Sequence, residues 1–309
     1  MRDVGGSNPS SATKKFMSNV LFKNKILKKK GRISVIHESD QLVQNFGKQW
    51  KTYRDVQIDS INNFNISLHF LKELLFDELT NNKNKNVLEI GCGAGRFTEY
   101  LSRYFNSVTS VDLSDAVFYN ISKNEKNVSL YKADFLKLIP IKKYDVVFCR
   151  GVLQHTKNPK LSIIKLYDFV KDDGFVFFDI YKLPKLGLIH PKYSFWRPVI
   201  KRFIKYKTFE NFLLNNIRFL LKIKRFIDFF FLNKKFFSDC IIPIWDYKNI
   251  LQIENSKLEK FSILDTLDGI YAHYDQPMKY QDVMLFLERN KIKVEKTNSK
   301  KNIFKTSKL

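Results

Sequence analysis

The chain reads Val87-Leu88-Glu89-Ile90-Gly91-Cys92-Gly93-Ala94-Gly95-Arg96-Phe97 where an apolar strand runs into three alternate glycines. Glycine lets a backbone turn sharply and pass close to a ligand where a Cβ would clash. The spacing is G-x-G-x-G, which differs from the G-x-G-x-x-G of nicotinamide and flavin enzymes. A strand, a glycine turn and a helix in this order predict an α/β fold whose ligand lies at the turn.

Apolar strands and helical patterns alternate after this turn, which is typical of a parallel, doubly wound sheet. We therefore predict a Rossmann-like α/β fold with a mostly parallel, seven-stranded sheet and a helical insertion. The predicted strands are 87–91, 107–112, 128–132, 144–150, 175–181, 292–296 and 303–305. The predicted helices are 96–103, one from Ser114, 161–170 and 280–290, with a helical pattern at 61–75 and irregular chain at 33–58.

Acidic side chains follow the next two strands. Asp112 ends the second strand, where a carboxylate can accept both hydroxyls of an adenosyl ribose. Asp134 and Phe135 follow the third strand, where a carboxylate and an apolar ring can hold adenine. Each acid alone would equally fit a helix cap or a turn. Three such features in order at strand ends favour a nucleoside site.

These stretches resemble the class I S-adenosylmethionine-dependent methyltransferases, and the resemblance covers about residues 41–296. It implies S-adenosylmethionine as the cofactor and no metal. It implies that the methionine end lies at Glu89, Gly91 and Gly93, the ribose at Asp112, and adenine at Asp134 and Phe135. The full set of expected cofactor-binding residues is Glu89, Gly91, Cys92, Gly93, Gly95, Asp112, Leu113, Asp134, Phe135 and Arg150.

The flanks of this region are similar to one bacterial subgroup that is often encoded with glycan-biosynthesis genes. The matching elements are Phe46-Gly47-x-Gln49-Trp50 with Gln57, Pro243-Ile244-x-Asp246-Tyr247, Leu264-Asp265-Thr266-x-Asp268 and Tyr274-Asp275-Gln276-Pro277. This resemblance indicates the reaction better than the substrate. We expect methyl transfer to a small or lipid-linked acceptor, with a sugar hydroxyl as the leading hypothesis.

The acceptor site is expected beyond the carboxyl ends of the strands. His155 follows the fourth strand and is the candidate general base, because imidazole titrates near neutrality. Its alternative role is to pack against the cofactor or orient its loop. Further candidate substrate residues are Asp179, His273, Tyr274 and Asp275; the last three form either a lid or a polar loop before a helix. Trp50 and Tyr53 are candidates to cover the cofactor, or ordinary packing residues.

The net charge of +23 is concentrated outside the expected core. Residues 1–32, 182–240 and 291–309 together carry an excess of 25 positive charges, which leaves −2 for the rest. Such basicity suits a polyanion or an anionic membrane, or reflects an AT-rich genome. The scattered Cys92, Cys149 and Cys240 indicate a reducing compartment without a structural metal. We expect a cytoplasmic protein, either free or peripheral at the inner face of the membrane.

Four regions follow from these patterns. Residues 1–32 form a basic leader, and we expect translation to begin at Met17 because Gly6-Ser7-Asn8-Pro9 matches an encoded tRNA T-loop. Residues 33–181 form an N-terminal cover and the cofactor-binding core. Residues 182–260 form a basic, Phe-rich helical insertion that either caps the site or contacts a membrane. Residues 261–309 supply the lid loop, a helix and the closing strands.

Two other functions compete with this reading. An RNA methyltransferase would explain the charge, although nucleic acid is disfavoured because no RNA-binding module is recognisable. The loop after the fourth strand also lacks the Asn/Asp-Pro-Pro-aromatic motif typical of enzymes that methylate base amino groups. A membrane-associated scaffold that keeps the fold without turnover is the non-enzyme alternative.

Overall fold

The computed structural model describes residues 21–39, 41–75, 82–184, 186–231, 235–248, 250–251 and 253–309. Of the side chains inside this range, those of residues 41, 42, 44–46, 73–75 and 235–236 are excluded from the description. The first twenty residues, with the expected start at Met17, lie outside the described residues.

The described strands form one sheet in the order β1-β2-β5-β4-β3-β6-β7-β9-β8. The strands are β1 (Lys28–Lys30), β2 (Ile33–Val35), β3 (Asn86–Ile90), β4 (Ser107–Asp112), β5 (Val128–Lys132), β6 (Tyr144–Cys149), β7 (Val170–Asp179), β8 (Ile292–Asn298) and β9 (Ile303–Lys308). Strands β2 to β7 are parallel, whereas β1 and β9 run antiparallel to their neighbours. The Rossmann-like α/β fold is confirmed. The predicted number of seven strands is wrong, because the N-terminal segment adds two.

Helices cover both faces of the sheet and build a separate cap. They are α1 (Gln41–Thr52), α2 (Arg54–Gln57), α3 (Asp59–Asn62), α4 (Ile66–Leu75), α5 (Thr98–Tyr104), α6 (Pro159–Leu166), α7 (Arg197–Phe203), α8 (Tyr206–Phe230), α9 (Lys235–Ile241), α10 (Asn255–Tyr271) and α11 (Tyr280–Arg289). Within the described ranges, no helix is long and apolar enough to cross a membrane.

Several element boundaries differ from those that the sequence predicts. The stretch 33–58 is not irregular, since it holds β2, α1 and α2. The helical pattern at 61–75 is interrupted at Asn63, whose φ of 59° is left-handed and ends α3. The helix expected at 161–170 ends at Leu166, and the one expected from Ser114 is a single 3₁₀ turn, Asp115–Tyr119, capped by the Ser114 hydroxyl. A short turn thus replaces the expected helix between β4 and β5, and the helix between β6 and β7 is shorter than expected.

The central strands are buried on both faces, as parallel strands between helical layers are. In β6, Val147 and Cys149 pack into the apolar cluster on one face. Val146 and Phe148 pack into the cluster on the other face. Successive side chains of a strand alternate between faces, so this near-continuous apolar run holds both helical layers against one sheet.

A third apolar cluster lies outside the sheet and forms the core of the cap. It joins α8 to α10 through residues such as Leu213, Leu221 and Leu267. Tyr53 and Val56 belong to the same cluster, so the N-terminal segment also packs on the cap. The insertion is helical as expected, but the predicted boundary at residue 260 falls inside α10.

The predicted end of the leader at residue 32 does not coincide with the end of a structural unit. Residue 32 lies between β1 and β2, which pair as an antiparallel hairpin, and β2 then pairs with β5. Upstream of the hairpin, Phe22 is 1% exposed. Its ring meets the edge of Tyr131 at 5.1 Å and that of Phe169 at 6.5 Å between centroids. The chain from residue 21 onward is therefore part of the folded core.

We predict that Phe22→Ala lowers the free energy of unfolding by about 3–5 kcal/mol, because it leaves a cavity among buried rings. Denaturant unfolding of the full chain measures this loss. Leu27→Ala is the matched control, since Leu27 is exposed on the same segment, and it should change stability by less than about 0.5 kcal/mol. Equal effects of the two substitutions would contradict the packing of the N-terminal segment.

Candidate active site

The site lies where the strand order reverses at the centre of the sheet. The chain leaves β3 toward β4 and β5 on one side and returns through β6 and β7 on the other. The carboxyl ends of these parallel strands open into a crevice at such a switch point, and ligands of open α/β sheets bind there. The loops that leave these strands therefore supply the candidate residues.

The glycine turn is fixed to the end of the neighbouring strand. The backbone N–H groups of Gly91 and Cys92 donate to the carbonyl of Val111 at 2.8 and 3.2 Å. Gly91 has a φ of 79°, and a Cβ placed there would lie 2.1 Å from Cγ2 of Val152. Only glycine suits this position, so the turn is locked between β4 and the loop after β6.

Asp112 joins the glycine turn to the loop after β4. Its Oδ2 accepts the N–H of Gly93 at 2.7 Å. Its Oδ1 accepts the N–H and the hydroxyl of Ser114 at 2.7 and 2.6 Å. Burial raises the pKa of Asp112, and these three hydrogen bonds oppose the rise. Each carboxylate oxygen has two lone-pair sites, so the half-buried side chain keeps acceptor capacity for a ligand.

Helix α1 lies over the same turn. The ring of Trp50 faces Gly93, where a Cβ would come within 3.2 Å of Cδ2. A Cβ placed on Gly47 would lie 3.2 Å from the backbone nitrogen of Asp115. Tyr53, the other candidate cover residue, points to the cap instead, where its hydroxyl donates to Oε1 of Glu210 at 3.1 Å. Trp50 is thus placed to cover a ligand on the turn, and Tyr53 ties α1 to α8.

Glu89 lies beneath the glycine turn and is 1% exposed. Its Oε2 accepts hydrogen bonds from the hydroxyls of Thr98 and Ser110 at 2.7 and 2.6 Å. Burial raises the pKa of Glu89 to about 7. The side chain therefore braces the turn against α5 and β4, and its contact with a cofactor remains a prediction. Cys92 is also buried, and Leu113 is half-buried beside Asp112.

Asp134 caps the turn that follows β5. Its Oδ1 accepts the N–H of Leu136 at 3.1 Å, and Nζ of Lys137 lies 3.5 Å from Oδ2. The backbone N–H of Asp134 donates to Nδ1 of His37, a neighbour that the sequence did not indicate. Phe135 is buried in the core cluster. The cap role is therefore observed, and the adenine role of Asp134 and Phe135 remains a prediction.

Asp179 and Arg150 organise the loop after β6. Oδ1 of Asp179 accepts the N–H of Gly151 at 2.6 Å, and Nη1 of Arg150 lies 3.4 Å from Oδ2. The guanidinium of Arg150 also lies 4.5 Å from the centre of the Phe70 ring. Gly151 has a φ of 68°, and nothing lies within 4 Å of a Cβ placed on it. The loop after β6 is thus fixed by Asp179 and leaves space beside Gly151.

His155 lies between the core and the loop that joins α10 to α11. We call this loop the lid loop, after the role that the sequence predicts for it. Its Nδ1 is 3.0 Å from the carbonyl oxygen of Tyr274. A carbonyl only accepts hydrogen bonds, so Nδ1 carries a proton in this contact. Nε2 then faces Oδ2 of Asp268 at 3.6 Å. The ring also meets the edge of Tyr181 at 5.5 Å between centroids.

The candidate site residues predicted from the sequence do not include three residues near His155: Tyr181, Asp265 and Asp268. Tyr181 keeps 39% of its surface accessible, yet burial and the charges of nearby aspartates, among them Asp268 and Asp265, raise its pKa. Burial, followed by the charge of Asp268, raises the pKa of Asp265 to about 7. Tyr181 thus keeps accessible surface beside a group of carboxylates. The D-T-x-D spacing puts Asp265 and Asp268 on one helix face. This spacing was the sequence signal that could have identified the two acids as site residues.

The lid loop is bound to both the core and the cap. The N–H of Gln276 donates to the carbonyl of Gln154, and its amide donates to the carbonyls of Thr156 and Lys157. On the cap side, the 1% exposed Asp275 carboxylate lies 2.8 Å from Nη1 of Arg197 and 3.5 Å from Nζ of Lys192.

This burial makes Asp275 an anchor between the loop and the cap, and its substrate role remains a prediction. His273 is exposed. It lines a cavity of about 410 Å³ together with Tyr193, Arg197, Lys201 and Tyr274. The predicted catalytic and substrate residues therefore lie in two places. His155 and Asp179 lie at the sheet end, and His273, Tyr274 and Asp275 line the cavity at the cap.

A family described as "Methyltransferase domain" matches residues 88–178, the span from β3 to β7. Residues 88–178 thus match a methyltransferase domain, which confirms the expected similarity over this span. The span includes the glycine turn, Asp112 and His155. Among the described residues, no cluster of His, Cys, Asp or Glu could hold a metal ion.

Relatives of the methyltransferase domain match it over part of their length. A ubiquinone biosynthesis O-methyltransferase of Glaesserella parasuis is 31% identical over 44% of this chain and 62% of its own. A malonyl-[acyl-carrier protein] O-methyltransferase of Bacillus cereus is 28% identical over 45% and 53%. The chain thus spans about half to three-fifths of these relatives. In the N-methyltransferase NodS from Bradyrhizobium japonicum, the match is 19% identical with a TM-score of 0.38, covering 46% of this chain and 74% of that one.

The buried Glu89 predicts a pH dependence of stability. Its folded pKa of about 7 exceeds the value of 4.5 for the free side chain. Between these pH values the unfolded chain loses the proton first, so the stability contribution of Glu89 falls as pH rises and is constant above about pH 7. Glu89→Gln removes this titration. The unfolding free energy of the variant minus that of the wild type should therefore rise by at most about 3 kcal/mol across this window.

Denaturant unfolding at a series of pH values measures this difference. A pH-independent offset is expected as well, because Oε1 has no hydrogen-bond partner that an amide N–H₂ could use. Glu125→Gln, at an exposed position, is the control for the background slope. A flat difference for Glu89→Gln would show that Glu89 is not held in a desolvated site.

Proposed function

We propose that the chain is an S-adenosylmethionine-dependent methyltransferase. The contact that supports this most directly is the hydrogen bond from Gly93 N–H to Asp112, which puts a glycine turn and a carboxylate at one edge of the sheet. The spare acceptor site on Oδ2 of Asp112 suits a ribose hydroxyl, and the glycine turn under Trp50 suits the amino acid end. When bound, S-adenosylmethionine supplies an electrophilic methyl group on a sulfonium.

Orientation is the main contribution that we assign to the protein. A correctly aligned acceptor can gain about 7–11 kcal/mol relative to free reactants. The loop after β6 is fixed by Asp179, and the lid loop is fixed by Gln276. Both loops therefore hold the cleft in one shape before an acceptor arrives.

We propose that His155 and Asp268 accept the proton of an acceptor hydroxyl. The contact of Nδ1 with the Tyr274 carbonyl leaves Nε2 as the only ring atom that can take a proton from the cleft. Asp268 lies within reach of Nε2, and burial raises the pKa of its carboxyl. Such a pair can share one proton, which lets Asp268 stabilise the imidazolium that forms when His155 acts as a base.

The acceptor that we favour is a hydroxyl of a small or lipid-linked molecule, with a sugar as the leading candidate. The two named relatives are O-methyltransferases, which supports an oxygen acceptor. The glycan hypothesis rests on the flanking elements, such as Leu264–Asp268, that resemble the glycan-associated subgroup. We place peripheral membrane contact in residues 182–240, which would keep the chain beside a lipid-anchored acceptor.

The cofactor assignment predicts that Asp112→Asn weakens S-adenosylmethionine binding at least about tenfold, because a charged acceptor of the ribose hydroxyls is lost. Titration calorimetry of the full chain measures this change. Asp115→Asn is the control, since Asp115 lies three residues away and pairs with Lys132 instead. Unchanged affinity of Asp112→Asn would overturn the ribose assignment, and no binding by the wild type would overturn the proposed function.

The acceptor assignment predicts that His155→Gln binds S-adenosylmethionine normally but transfers methyl groups about 10²–10⁴-fold more slowly. Transfer of labelled methyl from S-adenosylmethionine into fractionated cell extracts provides the assay. We expect label in the lipid-linked or small-sugar fraction. Label in RNA alone would contradict the glycan hypothesis, and equal rates for the variant and the wild type would contradict the role of His155.

A further inference from the structure

Helix α8 has an apolar surface on the side away from the cap core. Its buried side chains are Phe209, Glu210, Leu213, Ile217, Leu221 and Lys224, which share one face. On the other side, Phe212, Phe219, Phe226 and Phe230 are 47%, 61%, 61% and 66% exposed. Single exposed apolar residues are ordinary, but four phenylalanines on one helix are not scattered singly.

The spacing of these phenylalanines puts them in one row. Steps of seven, seven and four residues correspond to about two, two and one helical turns. The rings of Phe226 and Phe230 are 4.8 Å apart between centroids, so these two members of the row touch. The 25-residue helix is about 37 Å long. We call the row Phe212, Phe219, Phe226 and Phe230 the phenylalanine stripe.

The apolar surface continues beyond the stripe. Phe229 is 75% exposed, and Phe231 stacks on Phe237 of α9 at 4.6 Å between ring centroids. Phe203, at the end of α7, is 79% exposed. An exposed apolar area with several phenylalanines is typical of a binding surface for a protein or a membrane.

Charge distinguishes between these two partners. Lys222 is exposed on α8, and Arg202 and Lys205 are exposed just before it. The two carboxylates of α8 lie away from this surface, because Glu210 is 5% exposed and Asp228 is half-buried with Oδ1 enclosed. A second copy of the same cationic face would be repelled, whereas an anionic lipid surface would be attracted.

We propose that α8 docks the protein on an anionic membrane, with the phenylalanine stripe inserted among the lipid acyl chains near the headgroups. The basic side chains around the stripe then lie at the level of the lipid phosphates, as in interfacial amphipathic helices. Helix α8 lies along the membrane, and its opposite face remains in the cap core. This proposal is independent of methyl transfer, since it concerns a surface that shares no residue with the cleft.

Vesicle sedimentation of the full chain tests the proposal. Vesicles of equal parts phosphatidylglycerol and phosphatidylcholine should bind the wild type, and vesicles of phosphatidylcholine alone should bind it much more weakly. The double substitution Phe219→Ser and Phe226→Ser should weaken binding to the anionic vesicles at least about tenfold, since two rings no longer enter the membrane. Thermal unfolding checks that the variant is folded.

The matched control is Leu161→Ser with Leu285→Ser, which removes two exposed apolar side chains on α6 and α11. This control should bind vesicles as the wild type does. Equal binding of the stripe variant and the wild type would overturn the proposal, as would absence of wild-type binding to anionic vesicles. A dimer in sedimentation equilibrium that depends on Phe219 and Phe226, without vesicle binding, would assign the stripe to a second copy.

Discussion

The carboxylate of Asp112 holds two loops of the methyltransferase domain through one group. One oxygen fixes the glycine turn at Gly93, and the other fixes the start of the next loop at Ser114. The carbonyl of the same residue accepts the N–H of Ala133, so a third loop begins beside it. Burial disfavours the charged form of this carboxyl and raises its pKa. Carboxyl groups with a pKa shifted in this way cluster at functional sites. The relative position of the cofactor loops depends on this residue.

The acceptor side is built differently, because it needs segments that are distant in the chain. The core contributes His155 and Tyr181, while Asp265 and Asp268 come from α10 of the cap. The lid loop joins these parts, since Asp275 pairs with Arg197 of α7 and Gln276 binds the loop after β6. The cap therefore carries half of the proposed acceptor cleft. Its outer surface carries the phenylalanine stripe, so one helical layer connects the two proposals.

The sequence predicted the core because its signals are local. Each parallel strand is a short apolar run, and the conformation of the turn at 91–95 requires glycine. The N-terminal elements were missed because long-range contacts stabilise them. Val56 is buried against the cap, and β2 exists through its pairing with β5. A stretch without local periodicity gives no sign of such contacts.

The site residues divide in the same way. Asp112 and His155 follow strands, so topology alone places them at the sheet end. Asp275 was proposed for substrate as part of a lid over the acceptor, and only the folded structure shows that its carboxylate lies between two cations. Conversely, Asp268 lies on a helix far along the chain, and only the folded cap brings it to 3.6 Å from His155.

A crystal structure of the full chain with S-adenosylhomocysteine tests the central claim most directly. The account predicts both ribose hydroxyls within about 2.7–3.0 Å of Asp112 oxygens, adenine beside Asp134 and Phe135, and the sulfur directed toward the cleft of His155. A nucleoside bound elsewhere, or one at the switch point without contact to Asp112, would contradict the shared adenosyl pocket on which the assigned function depends.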